Sequence, residues 1–119
     1  MDGISIQQEP VADAPKATVL KIHGYIDTST ANELQAALEQ CLAEGRVQLL
    51  LDMTEVDYVS SAGWGIFISI VRGAREQGGD LCLVGMQPEV QDVFELLEFR
   101  SILDAYPTLS DALSLQTLA

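Results

Sequence analysis

Two adjacent hydroxyls, Ser60 and Ser61, stand between an apolar run, Leu49-Leu50-Leu51, and the small-residue stretch Ala62-Gly63-Trp64-Gly65. A serine turns nucleophilic only when a base removes its proton, and the one imidazole in the chain is His23. The nucleophile elbow asks for glycine two places before and two places after the serine. Ser61 has Val59 before it and Gly63 after it, so half of that pattern is missing and an esterase using Ser61 and His23 is not expected. Gly63-Trp64-Gly65 likewise falls short of a dinucleotide fingerprint, since Ile68 holds the third glycine position and no phosphate-loop lysine is present. Asp52, Glu55 and Asp57 lack the glycine and terminal glutamate of a calcium loop and read as solvated loop acids. Cys41 and Cys82 sit among apolar residues with no CxxC or Cys/His cluster, as buried reduced thiols do. No catalytic residue, metal or cofactor is expected.

What a serine pair can do at a helix start is different chemistry. The first amides of a helix have no intrahelical acceptor and carry partial positive charge, so a phosphoryl group there is tolerated by the fold. It adds about −1.5 to −2 charge and three acceptor oxygens at one spot, enough to disrupt a docked partner. On composition and spacing alone two readings stand: the serines only cap the helix, or one of them is a phosphoacceptor in an interface.

The elements that must present this turn follow from periodicity. Ile4 and Ile6 alternate as a half-exposed strand, Val11 to Lys16 reads as a loop, and Thr18 to Ile22 as its hairpin partner, broken by Gly24-Tyr-Ile-Asp27. Thr30 and Glu33 have capping-box spacing ahead of a helix with the face Leu34, Ala37, Leu38, Cys41 and Leu42, ended by Gly45. Val47 to Leu51 is apolar at four of its five positions without alternation, a strand covered on both faces. A helix from Ser60 or Ser61 turns Ile66, Phe67, Ile70, Val71 and Ala74 inward and closes at Gly78-Gly79, and Leu81 to Val84 completes a right-handed βαβ unit. Pro88 opens a short helix with the face Val90, Val93, Phe94 and Leu97; Ile102 to Tyr106 is a last short strand, and Thr108 or Ser110 caps a terminal helix. The expected fold is one α/β domain over residues 1–119, a mixed four- to five-stranded sheet with helices mainly on one face.

Composition narrows the partner. Eighteen acidic residues against six basic ones give a charge of −12, which repels nucleic acid and anionic membranes. Scattered along the chain without a block, they read as a solvated surface, the alternative being a basic protein partner drawn in by steering. No apolar run reaches membrane-span length, and the first residues lack a secretory pattern, so a cytoplasmic location is expected.

The stretch Leu49-Leu-Leu-Asp-Met-Thr-Glu-Val-Asp-Tyr-Val-Ser-Ser-Ala-Gly-Trp-Gly-Ile-Phe67 resembles the central motif of the STAS domain, in the branch of bacterial anti-sigma-factor antagonists. Gly24-Tyr-Ile-Asp27, Gly78-Gly79-Asp80-Leu81 and Val93-Phe-Glu-Leu-Leu97 resemble further elements of that family. The resemblance implies that Ser61, with Ser60 as the alternative, is phosphorylated by an anti-sigma factor that is itself a serine kinase. It also implies that the unphosphorylated form binds that kinase and frees a sigma factor, and that a serine phosphatase resets the switch. Asp27, Thr28, Ser60, Ala62, Gly63, Trp64 and Gly65 are then the partner-binding surface. Trp64 replaces the family's usual Leu and is either a buried support or an exposed anchor. The family also contains scaffolds and transporter-accessory domains without a phosphorylation switch, and that remains the alternative.

Overall fold

The computed structural model describes residues 3–115. Met1 and Asp2, at the head of the segment read for a secretory pattern, lie outside them. Strands β1 (Ile4–Val11), β2 (Ala14–Ile26), β3 (Gln48–Val59), β4 (Asp80–Val84) and β5 (Asp104–Tyr106) form one sheet in the order β1-β2-β3-β4-β5. The β1–β2 pair is antiparallel, and each of the other neighbouring pairs is parallel. Helices α1 (Ala31–Ala43), α2 (Ser61–Glu76), α3 (Pro88–Leu96) and α4 (Leu109–Leu115) supply the connections and the cover. No helix among the described residues is long and apolar enough to cross a membrane.

The run Leu49-Leu50-Leu51 is apolar throughout because both of its faces are covered. Leu49 and Leu51 pack with Leu34 and Leu38 of α1, Phe67 and Ile70 of α2 and Phe94 of α3, whereas Leu50 joins Cys82, Val84 and Ala112 on the side of α4. Full burial of a Leu side chain contributes about 1.5–3 kcal/mol, so this short run anchors both layers. Three helices thus lie on one face and α4 on the other, which matches the expectation of helices mainly on one face. The two thiols are buried in different clusters, Cys41 on the inner face of α1 and Cys82 on β4 on the side of α4. Burial pushes the Cys82 thiol up to about 12 and raises that of Cys41, so both stay protonated at neutral pH.

Several local expectations are corrected. The loop expected over Val11 to Lys16 shrinks to a tight turn at Ala12-Asp13, and β2 runs on through Gly24 to Ile26. Gly24 is required inside the strand because its φ is +114° and a Cβ there would meet the Gly3 carbonyl oxygen at 2.7 Å. β3 also continues, through Thr54 to Val59, so Asp52, Glu55 and Asp57 belong to a strand and not to a loop. Against β2, β3 carries an extra residue between Lys21/His23 and another between Gly24/Tyr25. Each bulge shifts the alternation by one, which gives buried Met53, Val56 and Val59 a spacing of three. Thr30 ends the loop before α1 without a capping box: its hydroxyl donates to the Tyr25 carbonyl at 2.8 Å and accepts from the Asp27 N–H at 3.0 Å. On α3, Val90 and Phe94 are buried but Val93 and Leu97 are exposed. The helix stops at Leu96, and Glu98 in a left-handed conformation turns the chain into a 3-10 segment, Phe99–Ser101, before the outer face gains any cover.

Candidate functional site

The parallel β2–β3 pairing brings the ends of both strands together. Ile26 faces Val59 in register, and the Ser60 N–H donates to the Ile26 carbonyl at 2.8 Å, so the β2–α1 loop and the β3–α2 turn leave the sheet side by side. Asp27 starts the first loop. Its Oδ1 accepts from the Ser29 hydroxyl at 2.7 Å, the Ser29 N–H at 2.9 Å and the Thr30 N–H at 3.2 Å. The Ser29 hydroxyl bond is the main cause holding this carboxyl below its ordinary range. The loop is therefore fixed from within, with Thr28 at its exposed tip.

The second turn divides the work between its serines. Ser60 is the N-cap of α2, with extended backbone and a hydroxyl that accepts from the Gly63 N–H at 3.3 Å. Ser61, the first helical residue, is exposed, and its hydroxyl makes no hydrogen bond among the described residues. The Ser61 and Ala62 N–H groups have no acceptor among the described residues, and no acidic side chain occupies the first turn of α2. The helix end thus keeps its partial positive charge beside a free hydroxyl.

The two glycines of this turn do different things. A Cβ on Gly63 would meet Ile26 Cγ2 at 2.6 Å and Val59 Cγ1 at 2.8 Å, so its small size lets α2 sit against the strand ends. A Cβ on Gly65 would meet nothing within 4 Å, and that residue is exposed. Gly63→Ala is expected to cost about 1–3 kcal/mol through overpacking, and Gly65→Ala to stabilise by about 0.5–1 kcal/mol through a stiffer helix. Urea unfolding of the two variants measures both, and equal effects would contradict this division.

Trp64 is 3% exposed, which decides between support and exposed anchor in favour of support. Its ring stacks on Phe99 at 5.1 Å, meets Phe67 edge-on at 5.7 Å and lies 6.1 Å from Phe94. Of the seven residues expected on the partner surface, Thr28 and Gly65 are exposed, Asp27, Ser60 and Ala62 are half-buried, and Gly63 and Trp64 lie beneath. Sequence reasoning missed Tyr58 on β3 and counted Val93 on the apolar face of α3, whereas both are exposed. Tyr58 lies in the bulged part of β3, where alternation gives no signal.

The other candidate chemistries are not assembled. His23 Nε2 lies 4.0 Å from Glu55 Oε1 on the neighbouring strand and has no bond to Ser60 or Ser61. Asp52 accepts from the Thr54 N–H and hydroxyl, while Asp57 accepts from Gln87 Nε2 at 3.3 Å, and no group of three candidate ligands for a metal forms among the described residues.

Comparison with known proteins fits this geometry. The model of the STAS domain family matches residues 8–112. The anti-sigma-B factor antagonist of Listeria monocytogenes is 30% identical over 83 residues, covering 70% of this chain and 73% of that protein. A crystal structure of an anti-sigma factor antagonist from Mycobacterium paratuberculosis superposes with a TM-score of 0.82 at 26% identity, covering 93% of this chain and 92% of that one. The antagonist SpoIIAA, solved in its unphosphorylated form, shares the fold with a TM-score of 0.76 at 18% identity over 92% of this chain and 94% of its own. SpoIIAA from Bacillus, solved in its phosphorylated form, gives a TM-score of 0.70 at 17% identity, covering 92% and 97%. With a family match over most of its length and a five-stranded mixed sheet that ends in the Ser60-Ser61 turn, the chain belongs to the STAS domain family, in the branch of the anti-sigma-factor antagonists.

Proposed function

We propose that this protein is a phosphorylation-switched antagonist in which Ser61 is the phosphoacceptor and the unphosphorylated form holds an anti-sigma serine kinase, so freeing a sigma factor. The observation that carries the reading is the unequal use of the two serines: Ser60 is engaged as the cap, whereas Ser61 presents an unbonded hydroxyl at the exposed start of α2. Its surroundings suit the product. The vacant amides of Ser61 and Ala62 can donate to phosphoryl oxygens, and no first-turn carboxylate competes for them. Phosphotransfer from ATP forms an Oγ–P bond on Ser61, breaks the bond between the γ-phosphorus and the ADP oxygen, and passes the hydroxyl proton to a base of the kinase. Among the described residues no base is bonded to the Ser61 hydroxyl, so this proton transfer is assigned to the kinase. The added charge then faces the nucleotide phosphates still held by the kinase, and that repulsion releases the complex.

Relatives named as anti-sigma factor antagonists support the partner class, and SpoIIAA, solved in both forms, shows that this fold carries a phosphoryl group in a relative. A serine phosphatase completes the cycle, and the absence of any long apolar helix among the described residues suits a cytoplasmic setting. Incubation with the cognate kinase and ATP, followed by mass-spectrometric mapping, is expected to place phosphate on Ser61. Phosphate absent from the turn, or found on Ser60 alone, contradicts the assignment.

A further inference from the structure

A narrow cleft of about 70 Å³ opens between the C-terminal end of β3 and helix α3. Tyr58 and Val59 contribute from the strand, Val90 and Val93 from the helix, and Trp64 completes the apolar lining. The indole N–H of Trp64 is buried and has no hydrogen-bond acceptor among the described residues. A buried donor left unmet is unfavourable, and a phenylalanine would have kept the aromatic contacts without it. The donor is open to an acceptor that the described residues do not supply.

The surroundings define what arrives. Asp57 and Glu89 also line the cleft, no cation does, and the whole chain carries a charge of −12. Tyr58 is 52% exposed and Val93 38%, while Leu96 and Leu97 continue the exposed apolar surface one helical turn beyond Val93. An occupant must therefore combine an apolar side chain, a carbonyl oxygen and positive charge. The cleft is also close to the switch: Tyr58 and Val59 directly precede the serine turn, and Trp64 stands one helical turn after Ser61.

The geometry points to this cleft as the anchor pocket for an apolar side chain of the kinase partner, carried on a segment bearing Lys or Arg, whose main-chain carbonyl accepts the Trp64 indole proton. This rests on the antagonist reading above. It places the partner's attractive contact beside α3 and leaves Ser61 facing the nucleotide, so that one surface recruits the kinase while the other is modified by it. Phosphorylation then acts on a complex whose anchor is chemically unchanged.

The experiment uses the full chain and the cognate kinase with ADP. Val93→Lys removes an apolar wall and repels a basic segment, while a lysine four residues after Glu89 suits the helix, so the melting temperature should hold. Calorimetric titration is expected to show at least about a tenfold loss of affinity for this variant, and wild-type binding should weaken as salt is raised. The protein has a single tryptophan, so its one indole resonance in a ¹H–¹⁵N spectrum reports directly and is expected to move downfield in the complex. Wild-type affinity in Val93→Lys together with an unmoved indole resonance overturns the cleft, even if Ser61→Asp still abolishes binding and so upholds the switch. A wild-type protein that neither binds the kinase nor is phosphorylated by it brings down both proposals.

Discussion

A Ser61→Asp protein is expected to lose affinity for its anti-sigma kinase by about a hundredfold, a penalty of about 3 kcal/mol, and to melt within about 2 °C of the parent. The two halves of this result have separate causes. Ser61 is the first residue of α2, exposed, with unengaged amides around it and no acid in the turn. A carboxylate placed there interacts favourably with the helix end by about 0.3–1 kcal/mol, so the fold has no reason to weaken. On the proposed reading, the binding loss comes from negative charge at the spot that the kinase's nucleotide phosphates approach. Titration calorimetry and a thermal melt on the same preparation read both. Ser61→Ala is the control: it should bind as the parent does and accept no phosphate. If the aspartate variant binds normally, Ser61 is no switch, and the reading as a scaffold or transporter-accessory domain takes over.

Trp64→Ala is expected to have the largest effect on stability, a loss of about 3–5 kcal/mol against the 5–15 kcal/mol that typically separates folded from unfolded domains. The indole contacts Phe67 on its own helix, Phe94 on α3 and Phe99 in the 3-10 segment, so truncation opens a cavity where three elements meet. Denaturant unfolding followed by circular dichroism measures the loss. Trp64→Phe should retain most of the stability, since a smaller ring keeps part of the stack and the unmet donor is gone. If the phenylalanine variant falls as far as the alanine one, the indole nitrogen is bonded after all.

The residues that revealed themselves in the sequence are those whose signal is local. Leu49 to Leu51 reads as a doubly covered strand because each residue is apolar whichever way it faces, and the helix start shows because Ser60, Ser61 and Gly63 combine a cap with small size. The end of β3 was hidden because its two bulges replace the period of two with a spacing of three, and three acids in the segment suggested a loop. Thr30 and Glu33 matched a capping box, but the hydroxyl is drawn back to the Tyr25 carbonyl by a strand end that spacing cannot reveal. Trp64 could not be placed from its neighbours, since two of its aromatic partners, Phe94 and Phe99, come thirty or more residues later. Val93 misled for the opposite reason. Its helical spacing from Val90, Phe94 and Leu97 is correct, but none of the described residues covers that side of α3. For the site, motif position favoured Ser61 with Ser60 as the alternative, and the structure adds a local bond in which the Gly63 N–H donates to the Ser60 hydroxyl while the Ser61 hydroxyl stays unbonded among the described residues.

The spatial order of the strands equals their order along the chain. As such a chain leaves the ribosome, each strand finds its neighbour already made, and no strand must wait for a later one to be inserted between it and its partner. In chain order the edge of the sheet advances from β1 toward β5, and the serine turn and α2 connect the paired strands β3 and β4. Two of the rings around Trp64, Phe94 and Phe99, are made only after the sheet has reached β4. The Ser60-Ser61 turn is thus complete as sequence before the rings that pack around Trp64 exist, and the surface around it takes its final shape only once α3 and the 3-10 segment are in place.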